Sequence, residues 1–206
     1  MSGRHKNLSR VFGHFGASQG CANALGWGMG GKNPVTGKIE PGWNYGESIG
    51  GGVGPSEGYD GASGLHVHST NTRQTDSEVI EKRTAVLVRR YGIREGSSGI
   101  GRWCGGDGIV CEIEARASLK FSILNDRRVY RPYGMAGGYG GQRGEKLAFK
   151  FNEQHEMEAI NLGGKAIIHL EPGEYIRINT PGGGGYGPPN DDEVDFSTDD
   201  FHKAFV

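Results

Sequence analysis

Cysteine is scarce in this chain, neither sign of charge prevails, and no apolar run is long; each shortage excludes a class of protein. The three cysteines, Cys21, Cys104 and Cys111, are odd in number and far apart. They make neither a disulfide framework nor a zinc-ligand spacing. The basic start, Met1-Ser2-Gly3-Arg4-His5-Lys6, carries no apolar stretch of the signal-peptide kind, so the cysteines suit a reducing, cytoplasmic setting. Lys and Arg number 23 against 24 Asp and Glu, for a net charge of −1. Without a basic stripe, no nucleic-acid partner is expected. The apolar runs fall far short of the roughly 20 residues needed to span a bilayer, so no membrane partner is expected either.

Glycine is what the chain has in excess: 39 of 206 residues, where average usage is about 7%. There is no Gly-X-Y period, which excludes collagen. The glycines cluster between strand-like segments, and that pattern predicts a mainly β protein with short helices (α+β), its β body sandwich- or barrel-like, with long Gly-rich loops. Strands are expected at 85–88, 109–114, 119–124, 147–151, 166–170 and 175–178. Residues 18–25 read as a single helical turn capped by Ser18. Thr75-Asp76-Ser77-Glu78 reads as a capping box opening a short helix that ends near Arg83. Glu171-Pro172-Gly173-Glu174 marks a tight turn.

Three regions follow: a Gly-rich loop region over 1–64, a β-rich body over 65–189 and an acidic, disordered tail over 190–206. Residues 28–64 read as a long ordered loop with short strand pieces. Phe12, Phe15, Leu25, Trp27, Met29 and Trp43 show no regular period, so several of them are expected to be exposed.

Five constellations carry candidate chemistry. His66-Val67-His68-Ser69-Thr70-Asn71-Thr72-Arg73 would put both imidazoles on one face if extended. Two histidines lack the third ligand that a catalytic metal needs, and no glutamate stands where a cupin metal box requires one. A polar ligand site at His66, His68, Asn71 and Arg73 is the functional reading, and a hydrogen-bonded solvated loop the plain one. Glu47, beside Gly50-Gly51-Gly52, is a candidate acid or base. Arg127 and Arg128 are candidate carboxylate anchors, or surface partners of Asp126. Gly182-Gly183-Gly184-Gly185 follow Thr180-Pro181 and lack the Lys-Ser or Lys-Thr of a phosphate loop. Their N–H groups would contact an anion, or their backbone would pack tightly. The cluster from Ser97 to Gly108 would wrap an anion with successive N–H groups, or be a twisted β-connection with bulges.

Taken in order, these stretches resemble the hydantoinase B/oxoprolinase family, and within it the eukaryotic ATP-dependent 5-oxoprolinases. The likeness runs over about residues 10–189, through Ala17-Ser18-Gln19-Gly20-Cys21, the 45–54 and 66–73 segments, Gly105-Gly106-Asp107-Gly108, Asp126-Arg127-Arg128-Val129-Tyr130-Arg131-Pro132-Tyr133-Gly134, Asn161-Leu162-Gly163-Gly164-Lys165 and the terminal Thr-Pro-Gly run. The resemblance implies ATP-dependent opening of a small lactam substrate. It implies ATP and magnesium held by an upstream region absent from this chain, an ATP-binding hydantoinase A-type region or subunit as partner, and a homo- or hetero-oligomer. The chain departs from the family at Ser69, Ser98 and Cys104; Ser98 stands where glycine is usual and is expected to strain the backbone. The resemblance also implies a C-terminal fragment or shortened relative. The alternatives are a non-catalytic assembly module derived from the family and a small metal-binding β-protein built on His66 and His68.

Overall fold

The computed structural model describes residues 14–32 and 38–189; Phe12 and the acidic segment 190–206 lie outside them. Nine strands and one short helix are present among the described residues: β1 (Ala24–Lys32), β2 (Ile39–Ser48), α1 (Ser77–Arg83), β3 (Val86–Arg94), β4 (Gly108–Ala115), β5 (Leu119–Leu124), β6 (Glu145–Phe151), β7 (Met157–Asn161), β8 (Lys165–Leu170) and β9 (Tyr175–Asn179). They form two antiparallel sheets, ordered β2-β1-β5-β8 and β3-β4-β9-β6-β7. The result is a sandwich and not a closed barrel. Leu25, Trp27, Leu119, Phe121 and Ile123 from the first sheet meet Cys111, Ile113, Ala148, Ile176 and Ile178 from the second in one core.

Strict alternation explains β5: Leu119, Phe121 and Ile123 are buried while Lys120, Ser122 and Leu124 are exposed. The same rule governs β1 and β2, with glycine as the outward residue. Leu25 and Trp27 face the core, with Gly26 between them and Gly28 after Trp27. The loop reading of 28–64 is therefore corrected at 28–32 and 39–48, the parts of β1 and β2 that it covered; the two strands pair in register from Ala24↔Ser48 to Met29↔Trp43. The pair then slips past Gly30, whose φ of +82° suits a bulge. The helical turn expected at 18–25 is absent, because this segment feeds straight into β1. Phe15 and Met29 are exposed, Trp43 is half-buried, and Leu25 and Trp27 are core residues.

Helix α1 starts one residue later than the capping box suggests. Asp76 is the cap, its carboxylate accepting the Glu78 N–H at 2.9 Å. At the β8–β9 turn, Glu174 N donates to Glu171 O with Gly173 at φ +89°, which is the type II geometry that Pro-Gly favours. Ser98 keeps a negative φ and donates its N–H to Asp107 Oδ1, so the expected strain there does not arise. Among the described residues no helix is long and apolar enough to cross a membrane.

Candidate active site

The glycine run 182–185 is buried, and its N–H groups are already engaged. Gly182 donates to Gln142 O, Gly183 to Gly106 O, Gly184 to Ala17 O and Gly185 to Tyr139 O, at 2.8 to 3.2 Å. A Cβ on Gly184 would lie 2.0 Å from Tyr133 O, and one on Gly183 2.2 Å from Val53 O. Gly99 and Gly106 join the same network through Gly183 O and Val53 O. Of the two sequence readings, tight backbone packing holds, and the anion contact at Gly182, Gly183, Gly184 and Gly185 is corrected. The residues present also do not fit a nucleotide: no free row of N–H groups remains here to cradle phosphates. Among the described residues no three of His, Cys, Asp and Glu are grouped to hold a metal.

A cleft runs along the outer side of the first sheet, and the candidate chemistry gathers at its β2 edge, where Glu47 and Tyr45 point toward the core face beside Leu25 and Trp27. Cross-strand neighbours Ser48, Ala24, Leu124 and Lys165 form one row, and Gly46, Gly26, Ser122 and Ile167 the next. The glycines remove side chains from the floor and leave a cleft of about 910 Å³, which Glu47, Thr72, Arg73 and Thr75 also line. Glu47 stands opposite Leu25 on the edge strand β2. Its carboxylate accepts the Tyr45 hydroxyl at 2.7 Å, and Thr75 Oγ1 lies 3.1 Å from the same hydroxyl. Thr75 thus serves this cluster and not the helix cap.

His66 is half-buried, with Nδ1 3.1 Å from Thr72 Oγ1. Burial holds its imidazole below the ordinary value, against an opposing pull from the Glu47 carboxylate. Burial likewise raises the Tyr45 hydroxyl. Burial and then the neighbouring Cys111 and Glu47 raise Tyr91, whose hydroxyl donates to Gln74 Oε1 at 3.0 Å. The Glu47 carboxylate, the Tyr45, Thr72 and Thr75 hydroxyls and Arg73 line one end of the cleft, and His66, which does not line it, is tied to that end through Thr72. That is a set able to move protons and to face a developing negative charge.

The expectation that His66 and His68 share a strand face is corrected. The chain turns at 68–70, with Thr70 N and Asn71 N both donating to Val67 O, so His68 and Asn71 sit on an exposed turn. Arg127 and Arg128 do not line the cleft. Arg128 donates to Asp126 O at 2.8 Å and to Asn23 Oδ1 at 3.4 Å, and Arg127 holds φ +60°. Sequence alone did not place Tyr45 and Thr75 at the site, and marked Thr72 only as part of the 66–73 motif. Their signal was the outward-Gly alternation of β2, which sends Tyr45 and Glu47 to the same face.

The hydantoinase B/oxoprolinase family pattern matches residues 7–189. Over 194 residues the chain is 60% identical to "5-oxoprolinase PfmaA" of Pestalotiopsis fici, covering 94% of this chain and 15% of that protein. It is 44% identical over 170 residues to "5-oxoprolinase 1" of Arabidopsis thaliana, covering 82% of this chain and 12% of that one. Among solved structures, the ATP-dependent caprolactamase of Pseudomonas jessenii superposes with a TM-score of 0.66 at 19% identity, over 88% of this chain and 32% of its own. The nucleotide-free acetone carboxylase does so with a TM-score of 0.63 at 16% identity, over 84% and 26%. The chain thus spans a small part of each of these relatives, and its sequence and sandwich agree on one assignment: it belongs to the hydantoinase B/oxoprolinase family.

Proposed function

We propose that this chain is the C-terminal portion of an ATP-dependent cyclic-amide hydrolase of the 5-oxoprolinase type, opening 5-oxoproline to glutamate. The observation that carries this reading is the 60% identity over 194 residues to a protein named a 5-oxoprolinase. ATP and magnesium would be held by a hydantoinase A-type region outside this chain, since the residues here do not fit them. A lactam is held closed by amide resonance, so its opening needs an activated carbonyl and a positioned water. At the cleft's edge, Glu47, assisted by His66 through Thr72, would take the proton of that water, and Arg73 would face the substrate carboxylate. His68 and Asn71, on the exposed turn, would meet whatever closes over the cleft. Three free cysteines suit a reducing, cytoplasmic compartment.

The test is a complete family enzyme carrying this segment. ATP-dependent release of glutamate is expected to fall at least tenfold in Glu47→Gln and in His66→Ala, with the isolated chain inactive. Full activity in both variants, or glutamate release by the chain alone, would overturn the reading.

A second reading is a non-catalytic assembly module. Leu124 and Ile167, 58% and 67% exposed on the outer face of the first sheet, favour a surface that another polypeptide covers. Size-exclusion chromatography with light scattering separates the two readings. A monomer that gains activity only with an ATP-binding partner fits the first, and stable assembly without any gain in activity fits the second.

A further inference from the structure

Beyond the last residue of β5 the sandwich core turns polar. Asn125 takes the next inward position after Leu119, Phe121 and Ile123, and it is buried. Neither its Nδ2 nor its Oδ1 has a partner. Lys146, inward on β6 two residues before the core residue Ala148, is fully buried. Its ammonium donates to Gly164 O at 2.7 Å, the carbonyl that also accepts Asn125 N at 3.0 Å. Asp126 N donates to Cys21 Sγ at 3.0 Å, and Arg128 closes the ring onto Asp126 O and Asn23 Oδ1. The Arg127 guanidinium lies over Gly20, where a Cβ would stand 3.3 Å from its Nη2. The Nε atoms of Arg127 and Arg128 are both buried without a partner.

Asp126 and Glu145 lie close enough to act on these cations, yet neither pairs with one of them. Arg128 and Lys146 bond only neutral acceptors, and Arg94, which acts electrostatically on Arg128, bonds the Arg143 and Thr180 carbonyls and Gln142 Oε1. None of the four cations makes an ion pair among the described residues. Glu145, the nearest carboxylate in sequence to Lys146, is bonded to Asn179 Nδ2. Buried cations are ordinarily paired, and a buried polar atom without a partner calls for an explanation.

We infer that Arg127, Arg128, Lys146 and Asn125, flanked by Arg94, form a binding site for a small oxyanion, separate from the Glu47–His66 cleft. Two Nε–H groups and the Asn125 amide would donate to the anion, and Asn125 Oδ1 would accept from a proton on it. Arg127 and Arg128 are half-buried and Lys146 is fully buried. The inference does not rest on the activity proposed above, and its test needs neither ATP nor a lactam.

The experiment titrates the intact chain with inorganic phosphate and, separately, with acetate, following the arginine Nε–H resonances by nuclear magnetic resonance and the heat by calorimetry. Saturable shifts at Arg127 and Arg128 are expected, with affinity at least tenfold weaker in Arg127→Gln. A response to phosphate alone assigns a phosphate-class ligand, and a response to acetate alone a carboxylate; either supports the site. Resonances of the wild-type chain unmoved by both anions, or equal affinity in Arg127→Gln, overturn it. The wild-type measurement decides even if the variant folds poorly.

Discussion

Thr180 clasps Gly50 across 130 positions of chain: its hydroxyl donates to the Gly50 carbonyl at 2.8 Å while accepting the Ile109 N–H at 2.7 Å. The side chain is fully buried, so no water can replace either bond. Thr180→Val, nearly the same shape, leaves a buried carbonyl and a buried N–H unsatisfied. A loss of about 2–4 kcal/mol is expected in urea unfolding, with Thr180→Ser losing less than about 1.5 kcal/mol.

The glycine bundle gives a second prediction by contrast. At Gly184 a Cβ would stand 2.0 Å from Tyr133 O, and at Gly92 it would meet nothing within 4 Å. Gly184→Ala is expected to lower stability by several kcal/mol or to prevent folding, and Gly92→Ala to leave it within about 0.5 kcal/mol. Thermal unfolding of the pair checks this. Equal midpoints would contradict the packing.

Lys146 sets a pH dependence. Burial, reinforced by Arg128 and opposed by Cys21 and Asp126, holds its amine at about 7 against the ordinary 10.5. Below about 7 the amine is charged both folded and unfolded, and the full penalty of burying that charge applies. Between about 7 and about 10.5 the unfolded chain binds the extra proton, so this group makes stability rise with pH over that window and level off above it. Lys146→Met is expected to flatten that rise and to gain most below pH 7. Denaturant midpoints from pH 6 to pH 10 measure it.

Sequence reading located the second sheet well and the first sheet poorly, for a reason that β1 shows. Leu25, Trp27 and Met29 alternate with Gly26, Gly28 and Gly30, yet glycine is a poor strand former and hid the period. β5, with Lys and Ser as its outward residues, was legible to the residue. β7 has no inward face at all, since Met157 to Asn161 are all exposed, and no pattern could have marked it. At the site, Glu47, His66 and Arg73 were legible from local motifs. Tyr45, Thr72 and Thr75 depend on how the 66–75 segment folds back on β2, which is tertiary information. Lys146 left a trace: a lysine at an inward position of an alternating strand.

The electrostatics of the cleft make a prediction for the complete enzyme. Burial lowers His66 and the Glu47 charge raises it. If His66 must be neutral to assist Glu47, the acid limb of kcat/KM lies below the ordinary histidine value of 6.5. In Glu47→Gln the limb should move to still lower pH, because the raising charge is gone. An unmoved limb in that variant would separate the two residues functionally.

Thiol chemistry offers a simple check on the packing. Burial pushes the Cys111 thiol up to about 12, and Cys21 is buried while Cys104 is half-buried. Iodoacetamide at pH 8 is expected to label Cys104 first, with Cys111 reacting only on unfolding. Mass spectrometry of the labelled peptides reads this directly.

The glycine bundle also changes how this protein should respond to heat. Segments near 17, 53, 99–106, 139–142 and 182–185 meet through their own peptide groups, so unfolding there hydrates amides in place of hydrocarbon. Hydrating apolar surface raises the heat capacity, while hydrating peptide surface lowers it. The heat capacity of unfolding per residue should therefore fall below the roughly 12–15 cal/mol/K usual for globular proteins. A flatter stability curve follows, in which the fold loses less on cooling than a protein held together by oil-like contacts alone.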